Sequence, residues 1–136
     1  MSRPILVVYQ LLIGLSDTFT GALLMIAPEL TLRLMHLQAP PDALVYVSFI
    51  GAFVFSVGLA CLYGALLAYR GDCRTKLEVV WLLTAFARAS VASFVIAQVL
   101  SSTLEAGWLT VAAIDGACVL IQAIGLRRGW LARATK

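Results

Sequence analysis

Three ionisable residues lie inside long apolar segments of this sequence, namely Asp17, Arg88 and Asp115. A charge at the centre of a membrane helix costs about 2.5–3.5 kcal/mol on insertion scales, so each of them needs a partner. The rise of an α-helix, about 1.5 Å per residue, places all three near the middle of their segments. Because a guanidinium group can bond two carboxylates at once, we expect Arg88 to be held between the two aspartates inside a helical bundle.

Uncharged polar residues share helix faces with this trio at helical spacings. The complete predicted polar cluster, either ligand-binding or structural, comprises Asp17, Arg88, Asp115, Gln10, Gln122 and Thr84. Two carboxylates against one guanidinium leave one net negative charge, so either one aspartate is protonated or another cation belongs in the cluster. The first alternative describes an ion-pair network that fixes the helices. The second describes a pocket for a proton, a cation or a ligand head group, and the sequence alone leaves both open.

The elements that must position this cluster follow from the composition. The chain has 136 residues, of which 62% are hydrophobic and 12% are charged, and a soluble domain carries about twice that charged fraction. Four apolar blocks are long enough to cross a hydrocarbon core of roughly 30 Å. They cover residues 4–27, 44–69, 79–100 and 107–126. This pattern predicts an all-α integral membrane four-helix bundle that forms a single transmembrane domain over 1–136.

Basic residues concentrate on one side of the predicted bundle, the side that holds both termini and the middle loop. The eight residues there are Arg3, Arg70, Arg74, Lys76, Arg127, Arg128, Arg133 and Lys136. The opposite loops hold only Arg33. Because cytoplasmic loops carry an excess of Lys and Arg, we expect the N and C termini in the cytoplasm, and a location in a bacterial inner (plasma) membrane.

The segment 28–38, which follows span one, is typical of a short helix lying along the outer membrane surface. Pro28 and Glu29 both suit the first turn of a helix. The residues expected to face lipid are Leu30, Leu34 and Leu37, and those expected to face water are Arg33 and His36.

Small residues recur at helical spacing in all four spans and are expected to let helices approach closely. Span two carries Ala52, Ser56, Ala60, Gly64 and Ala68, and span three carries Ala85, Ala89, Ser93, Ala97 and Ser101. Span one adds Gly14, Thr18 and Ala22, and span four adds Ala112 and Gly116. These ladders serve either packing within the bundle or contact with a second copy or a helix of another protein.

The predicted spans lack the residue types that several chemistries need. The single histidine, His36, lies at the predicted membrane surface, so no span offers an imidazole to a haem. No His, Cys and carboxylate set has metal-ligand spacing, and neither a glycine-rich phosphate loop nor a serine–histidine dyad occurs. The sequence leans against an enzyme without deciding the question. It predicts no metal site and no evident cofactor, and leaves a quinone or a lipid as the ligand to consider.

Cysteines and surface charge also limit the function. Cys61 and Cys118 fall inside spans and Cys73 falls in the middle loop, so no CxxC pair exists and dithiol chemistry is not expected. The basic residues flank the spans instead of forming a patch on a soluble face, so nucleic acid is not expected as a partner. The expected partners are membrane lipid and either other membrane protein subunits or further copies of this chain.

Three stretches of the sequence resemble the DoxX-like small membrane proteins. They are GLSDTFTGALLMIAPEL, FIGAFVFSVGL and AFARASVAS, from spans one, two and three. Looser members of that family also have a proline and a surface segment after span one and an arginine in span three. The resemblance implies a four-helix bundle and, for some relatives, association with quinone-linked redox enzymes as a small subunit. The family is functionally mixed, so it assigns no activity to named residues here.

Three functions are compatible with these features. The first is an accessory or structural subunit of a larger membrane complex, which the resemblance would make a quinone-linked redox complex. The second is a stand-alone bundle that binds a quinone-like or other amphiphilic molecule at the pocket of Asp17, Arg88 and Asp115. The third is a small proton-coupled transporter with Asp17 as its acid, although small dual-topology exporters need a weaker charge bias than this chain has.

Overall fold

All regular secondary structure among the described residues is helical. The computed structural model describes residues 1–71 and 74–134, the last two of these by their backbone only. Its α-helices are α1 (Arg3–Ile26), α2 (Pro28–Leu34), α3 (Leu44–Arg70), α4 (Arg74–Leu100), α5 (Leu109–Arg127) and α6 (Trp130–Ala134). The described residues contain no strand, which confirms the all-α prediction. Cys73 and Lys136, which entered the sequence predictions, lie outside the described residues.

Four helices are long and apolar enough to cross a membrane, as predicted. They are α1, α3, α4 and α5, and short 3₁₀ turns at Pro41–Ala43 and Ala106–Trp108 lead into α3 and α5. The largest difference from the predicted blocks is at α4, which begins at Arg74 instead of residue 79. Nε of Arg74 donates to Oε1 of Glu78 at 2.7 Å, and a pair at this i,i+4 spacing supports the additional first turn.

The four long helices form two antiparallel pairs. Helix α1 packs most extensively against α3, and α4 against α5, while a smaller interface between α3 and α4 joins the pairs. We call α1 with α3 hairpin A, and α4 with α5 hairpin B. The start of α1, the end of α3, the start of α4 and α6 meet at one end of the bundle, the terminal end. Helix α2 and the 3₁₀ turn before α5 lie at the other, the distal end.

Glycines let hairpin A close tightly. Gly14 and Gly21 of α1 and Gly51 and Gly58 of α3 are all buried, and each pair is separated by seven residues. A Cβ atom on Gly58 would lie 2.5 Å from Oγ1 of Thr18, and one on Gly21 would lie 2.7 Å from the carbonyl oxygen of Gly51. These distances are too short for a Cβ atom, so the contact of the two backbones depends on glycine.

The four-residue ladder of α3 packs inside the chain only at its terminal-end half. Ala52 and Ser56 are exposed, because Gly51 and Gly58 on the adjacent face form the interface with α1. Of the two uses left open for this ladder, packing within the bundle therefore applies to its terminal-end half. Several faces of α3 carry small residues, and the face with the glycines permits the closest approach.

The ladder of α4 behaves in the same way. Ser93, Ala97 and Ser101 are exposed, because the neighbouring Ala92 is the residue that packs towards Ala112 of α5. Gly116 of α5, also expected in an interface, has no atom within 4 Å of an added Cβ position. The distal half of α4 therefore presents a face of small residues to its surroundings.

Apolar clusters hold both ends of the bundle. At the terminal end, Leu6 of α1, Ala68 of α3, Leu77 and Trp81 of α4, and Leu131 of α6 are at most 1% exposed and pack together. At the distal end, one cluster covers α1, α2 and α3 and another covers α4 and α5. Trp108 packs against both of these distal clusters. The polar middle of the bundle therefore lies between two apolar layers.

The segment after α2 ends in a tight cap that buries Leu37. His36 has a positive φ of 55°, and the N–H of Leu37 donates to the carbonyl oxygen of Leu32 at 2.8 Å, which is the Schellman pattern. Leu32 and Leu37 are each 2% exposed and pack onto hairpin A. The expectation that Leu37 faces lipid is wrong, because the chain reverses after α2 and turns this side chain inward. The other two leucines expected to face lipid are exposed.

The glycine contact predicts a test of hairpin A. We expect Gly58→Ala to lower the free energy of unfolding by roughly 1–3 kcal/mol, because the new methyl group meets the Thr18 backbone, whose Cα lies 2.9 Å from it. Gly116→Ala, where the added atom meets nothing, should not destabilise the protein and should raise its stability by up to about 1 kcal/mol, because alanine is the better helix former. Denaturant unfolding in detergent, followed by circular dichroism, measures both. Equal effects of the two substitutions would contradict the proposed glycine contact.

Candidate functional site

The side chain of Arg88 projects from α4 into the middle of the bundle and is only 5% exposed. Its Nη1 donates to Oδ1 of Asp115 on α5 at 2.5 Å, and its Nη2 donates to Oδ2 of Asp17 on α1. One guanidinium group thus bonds one carboxylate on either side. We call these three residues the ion-pair cluster.

The ion-pair cluster connects the two hairpins. Asp115 and Arg88 both belong to hairpin B, whereas Asp17 belongs to hairpin A. In the described part of the chain, the bond from Arg88 to Asp17 is the one salt bridge that joins the two hairpins. Helix α1 has little direct contact with α4 or α5. The long arginine side chain therefore connects helices whose backbones do not pack extensively against each other.

The surroundings of the cluster contain side chains from all four spans. The thiol of Cys61 on α3 lies beside the guanidinium of Arg88. Cys118 on α5 lies next to the hydroxyl of Tyr9 on α1, and the Tyr9 ring is tilted against Trp81 with 5.9 Å between centroids. These neighbours are neutral in their usual forms, so they do not balance the negative charge of the second carboxylate.

The two carboxylates are less enclosed than the arginine. The side chain of Asp17 is 19% exposed and that of Asp115 is 14% exposed. A proton, a cation or a polar group of a ligand could therefore reach either carboxylate more readily than it could reach the guanidinium. The geometry is compatible with an ion-pair network in which one aspartate is protonated. It is also compatible with a shallow anionic site for a cation or a ligand.

A second polar contact lies one helical turn closer to the terminal end. Nε2 of Gln122 donates to Oγ1 of Thr84 at 2.7 Å, and that hydroxyl lies 2.8 Å from the carbonyl oxygen of Val80, to which it donates. Both Gln122 and Thr84 are buried. This contact ties α4 to α5 within hairpin B and forms no hydrogen bond with the ion-pair cluster.

Gln10 occupies a separate position. It is 1% exposed, and its Nε2 lies against α3, where an added Cβ on Gly64 would come within 2.6 Å. Neither amide atom of Gln10 has a hydrogen-bond partner among the described residues. The structure therefore brings together Asp17, Arg88 and Asp115, places Thr84 and Gln122 in an adjoining pair, and leaves Gln10 outside both.

The site offers hydrogen bonding and charge, and the described residues contain no group of three His, Cys, Asp or Glu side chains able to hold a metal ion. Two grooves open on the surface, one beside Arg3 and Tyr69 and the other beside Tyr63 and Lys76. Both lie at the terminal end, away from the ion-pair cluster. The charged groups in the middle of the bundle are suited to ion pairing and to proton binding.

Sequence reasoning missed several participants. Tyr9 and Cys61 are common residue types in apolar spans, and only helix rotation, which spacing does not supply, brings them to the cluster. In the sequence predictions, Arg3 contributes only to the excess of basic residues on one side of the bundle. In the structure its Nε donates to the carbonyl oxygen of Ala68 at 2.9 Å and its Nη2 to that of Tyr69, so it caps the end of α3. The sequence does contain a signal for this contact. It is a basic residue at the start of one helix, opposite the end of its antiparallel partner.

Comparisons with family models, curated proteins and solved structures give no match to this chain. The DoxX-like resemblance rests on the three sequence stretches quoted above.

The ion-pair cluster predicts strong non-additivity among substitutions. Arg88→Met leaves two carboxyl groups in the interior without a cation, and we expect it to reduce the free energy of unfolding by about 3–5 kcal/mol. The triple variant Asp17→Asn, Arg88→Met, Asp115→Asn removes all three charges at once and should recover most of that loss. Unfolding of detergent-solubilised protein measures both. A triple variant no more stable than Arg88→Met would show that the three residues do not act as a unit.

Proposed function

We propose that this protein is an accessory subunit of a larger membrane complex, and that the ion-pair cluster serves to hold its own two hairpins together. The observation that carries the proposal is the outward face of α4, where Ser93 and Ala97 are exposed, as is Ser101 directly after the helix, although small residues are what membrane helices use to pack. The described residues add little mass outside the helices and show no arrangement typical of catalysis. A small bundle that is held together by a buried ion-pair cluster, and that exposes small residues on α4, suits a subunit that supports another protein.

The proposed orientation places both termini and the α3–α4 turn in the cytoplasm. It is supported by the eight basic residues of the sequence on that side, against Arg33 on the other. In this orientation α2 lies along the opposite surface of the membrane, with Leu30 and Leu34 exposed towards lipid. A bacterial inner membrane is the proposed location.

The proposed partner is a redox enzyme that uses quinone. This choice rests on the DoxX-like resemblance, since some of those proteins act as small subunits of such enzymes. The proposed contact is a transmembrane helix of the partner lying along the small-residue face of α4. Association with a second copy of this chain through the same face is the competing alternative to this proposal.

A second candidate function is binding of a quinone-like amphiphile at the ion-pair cluster. The observation in its favour is that Asp17 and Asp115 keep 19% and 14% exposure while carrying one uncompensated negative charge. A labelled quinone analogue that binds the purified chain, and is lost in the charge-free triple variant while the fold persists, would favour this candidate over a purely structural role of the ion-pair cluster.

The accessory role predicts specific partners. Purification in mild detergent from native membranes should recover other membrane proteins in fixed stoichiometry with this chain. Ala97→Phe puts bulk on the packing face of α4 and should reduce their recovery roughly tenfold, since overpacking of a helix interface costs about 1–3 kcal/mol. The matched control is Ala123→Phe, at an exposed alanine of α5. Recovery of this chain alone or as a pure homo-oligomer, or equal loss in both variants, would contradict the accessory role.

A further inference from the structure

A groove at the terminal end of hairpin A combines an apolar wall with a fixed positive charge. It is lined by Arg3, Pro4, Val7 and Val8 of α1 and by Tyr69 of α3, and has a volume of about 600 Å³. Pro4, Val7 and Val8 share one face of α1 and run from its first turn towards the middle of the bundle. The groove is open on the outside of the helices, where lipid would lie around a membrane protein.

The guanidinium of Arg3 is held in place at the end of this groove. Its bonds to the carbonyl oxygens of Ala68 and Tyr69 fix the plane of the group. They use only part of its donor set, and further N–H groups are not engaged by these bonds. A planar guanidinium with spare N–H groups suits the oxygens of a phosphate. Because Arg3 is already ordered by the α3 carbonyls, a ligand would not have to immobilise it.

The remaining lining suits the other parts of a phospholipid. Val8 is 53% exposed, so it offers apolar surface along which an acyl chain can lie. Tyr69 is 69% exposed at the same end as the arginine, and a tyrosine at that level presents an apolar ring to the chain and a hydroxyl to the head group. A molecule that fills the groove needs a polar group at the mouth and an apolar tail below it, and a phospholipid has both.

The charge around the groove favours an anionic head group. Arg70 and Arg128 are exposed at the same end, and the acidic Glu78 there is already bonded to Arg74. The positive charge near the mouth would attract a lipid with a net negative head group over a zwitterionic one.

We propose that this groove is a binding site for one anionic phospholipid, with its phosphate on Arg3 and an acyl chain along Pro4, Val7 and Val8. The site is specific to hairpin A and differs from the general attraction of the basic tail to a charged membrane. It is independent of the accessory role and of the chemistry of the ion-pair cluster.

The test is native mass spectrometry of the detergent-purified chain with added phosphatidylglycerol, compared with phosphatidylcholine. The unaltered chain should retain one phosphatidylglycerol in preference to phosphatidylcholine. Arg3→Gln should lower that retention roughly tenfold, as expected for loss of a charge-assisted contact. Arg128→Gln removes the same charge from the same end outside the groove and should leave retention nearly unchanged.

A second variant separates lipid binding from helix capping. Val8→Trp fills the groove from an exposed position and leaves the bonds of Arg3 intact, so it should also reduce retention while the helical content is preserved. Equal effects of Arg3→Gln and Arg128→Gln would overturn the proposal in favour of nonspecific charge attraction. Undiminished retention in Val8→Trp, or equal retention of the two lipids, would also overturn it. If Arg3→Gln fails to fold, the result for Val8→Trp decides.

Discussion

A charged group in an apolar layer must be paired, and the rest of this structure depends on how Arg88 meets that requirement. Its guanidinium takes one carboxylate from each hairpin, Asp17 from hairpin A and Asp115 from hairpin B. Each hairpin is already closed by its own contacts, through glycines in one and through Ala92, Ala112 and the buried glutamine–threonine pair in the other. The interface between the hairpins is smaller than the interface within either of them. The arginine adds an ion pair between the hairpins, and apolar clusters pack at the two ends of the bundle.

The same constraint explains where the polar and small residues lie. The charged side chains of the spans and the glutamine–threonine pair turn towards the interior, where they bond to each other, because lipid cannot satisfy them. The positions of small residues are less restricted, since an alanine or serine is tolerated both in an interface and against lipid. The small residues on the outward face of α4 are not used for packing within the bundle. Another helix can therefore pack against this face without any rearrangement of the bundle. The spare negative charge of the ion-pair cluster marks a place in the interior where a proton or a ligand would make an energetic difference.

Sequence reasoning predicted the features that depend on length, composition and depth. The four span-length helices follow from continuous apolar blocks, and the expectation that Asp17, Arg88 and Asp115 meet follows from their matching depth and from the cost of unpaired charge. It failed where the rotation of a helix about its axis decides the outcome. Small residues on several faces of α3 gave no way to choose Gly51 and Gly58 over Ala52 and Ser56. Leu37 was misplaced because a positive φ at a histidine is not evident from residue type.

The most direct test of the account is the distance between the hairpins. Spin labels at Leu15 of α1 and Phe86 of α4, both exposed, can be introduced into a chain whose three cysteines are replaced by alanine. Double electron–electron resonance should give a narrow distance distribution. Asp17→Asn weakens the bond between the hairpins and should broaden or lengthen that distribution, whereas Asp115→Asn weakens a bond within hairpin B and should leave it nearly unchanged. An unchanged distribution in Asp17→Asn, or the same change in both variants, would contradict the claim that Arg88 joins the hairpins through Asp17.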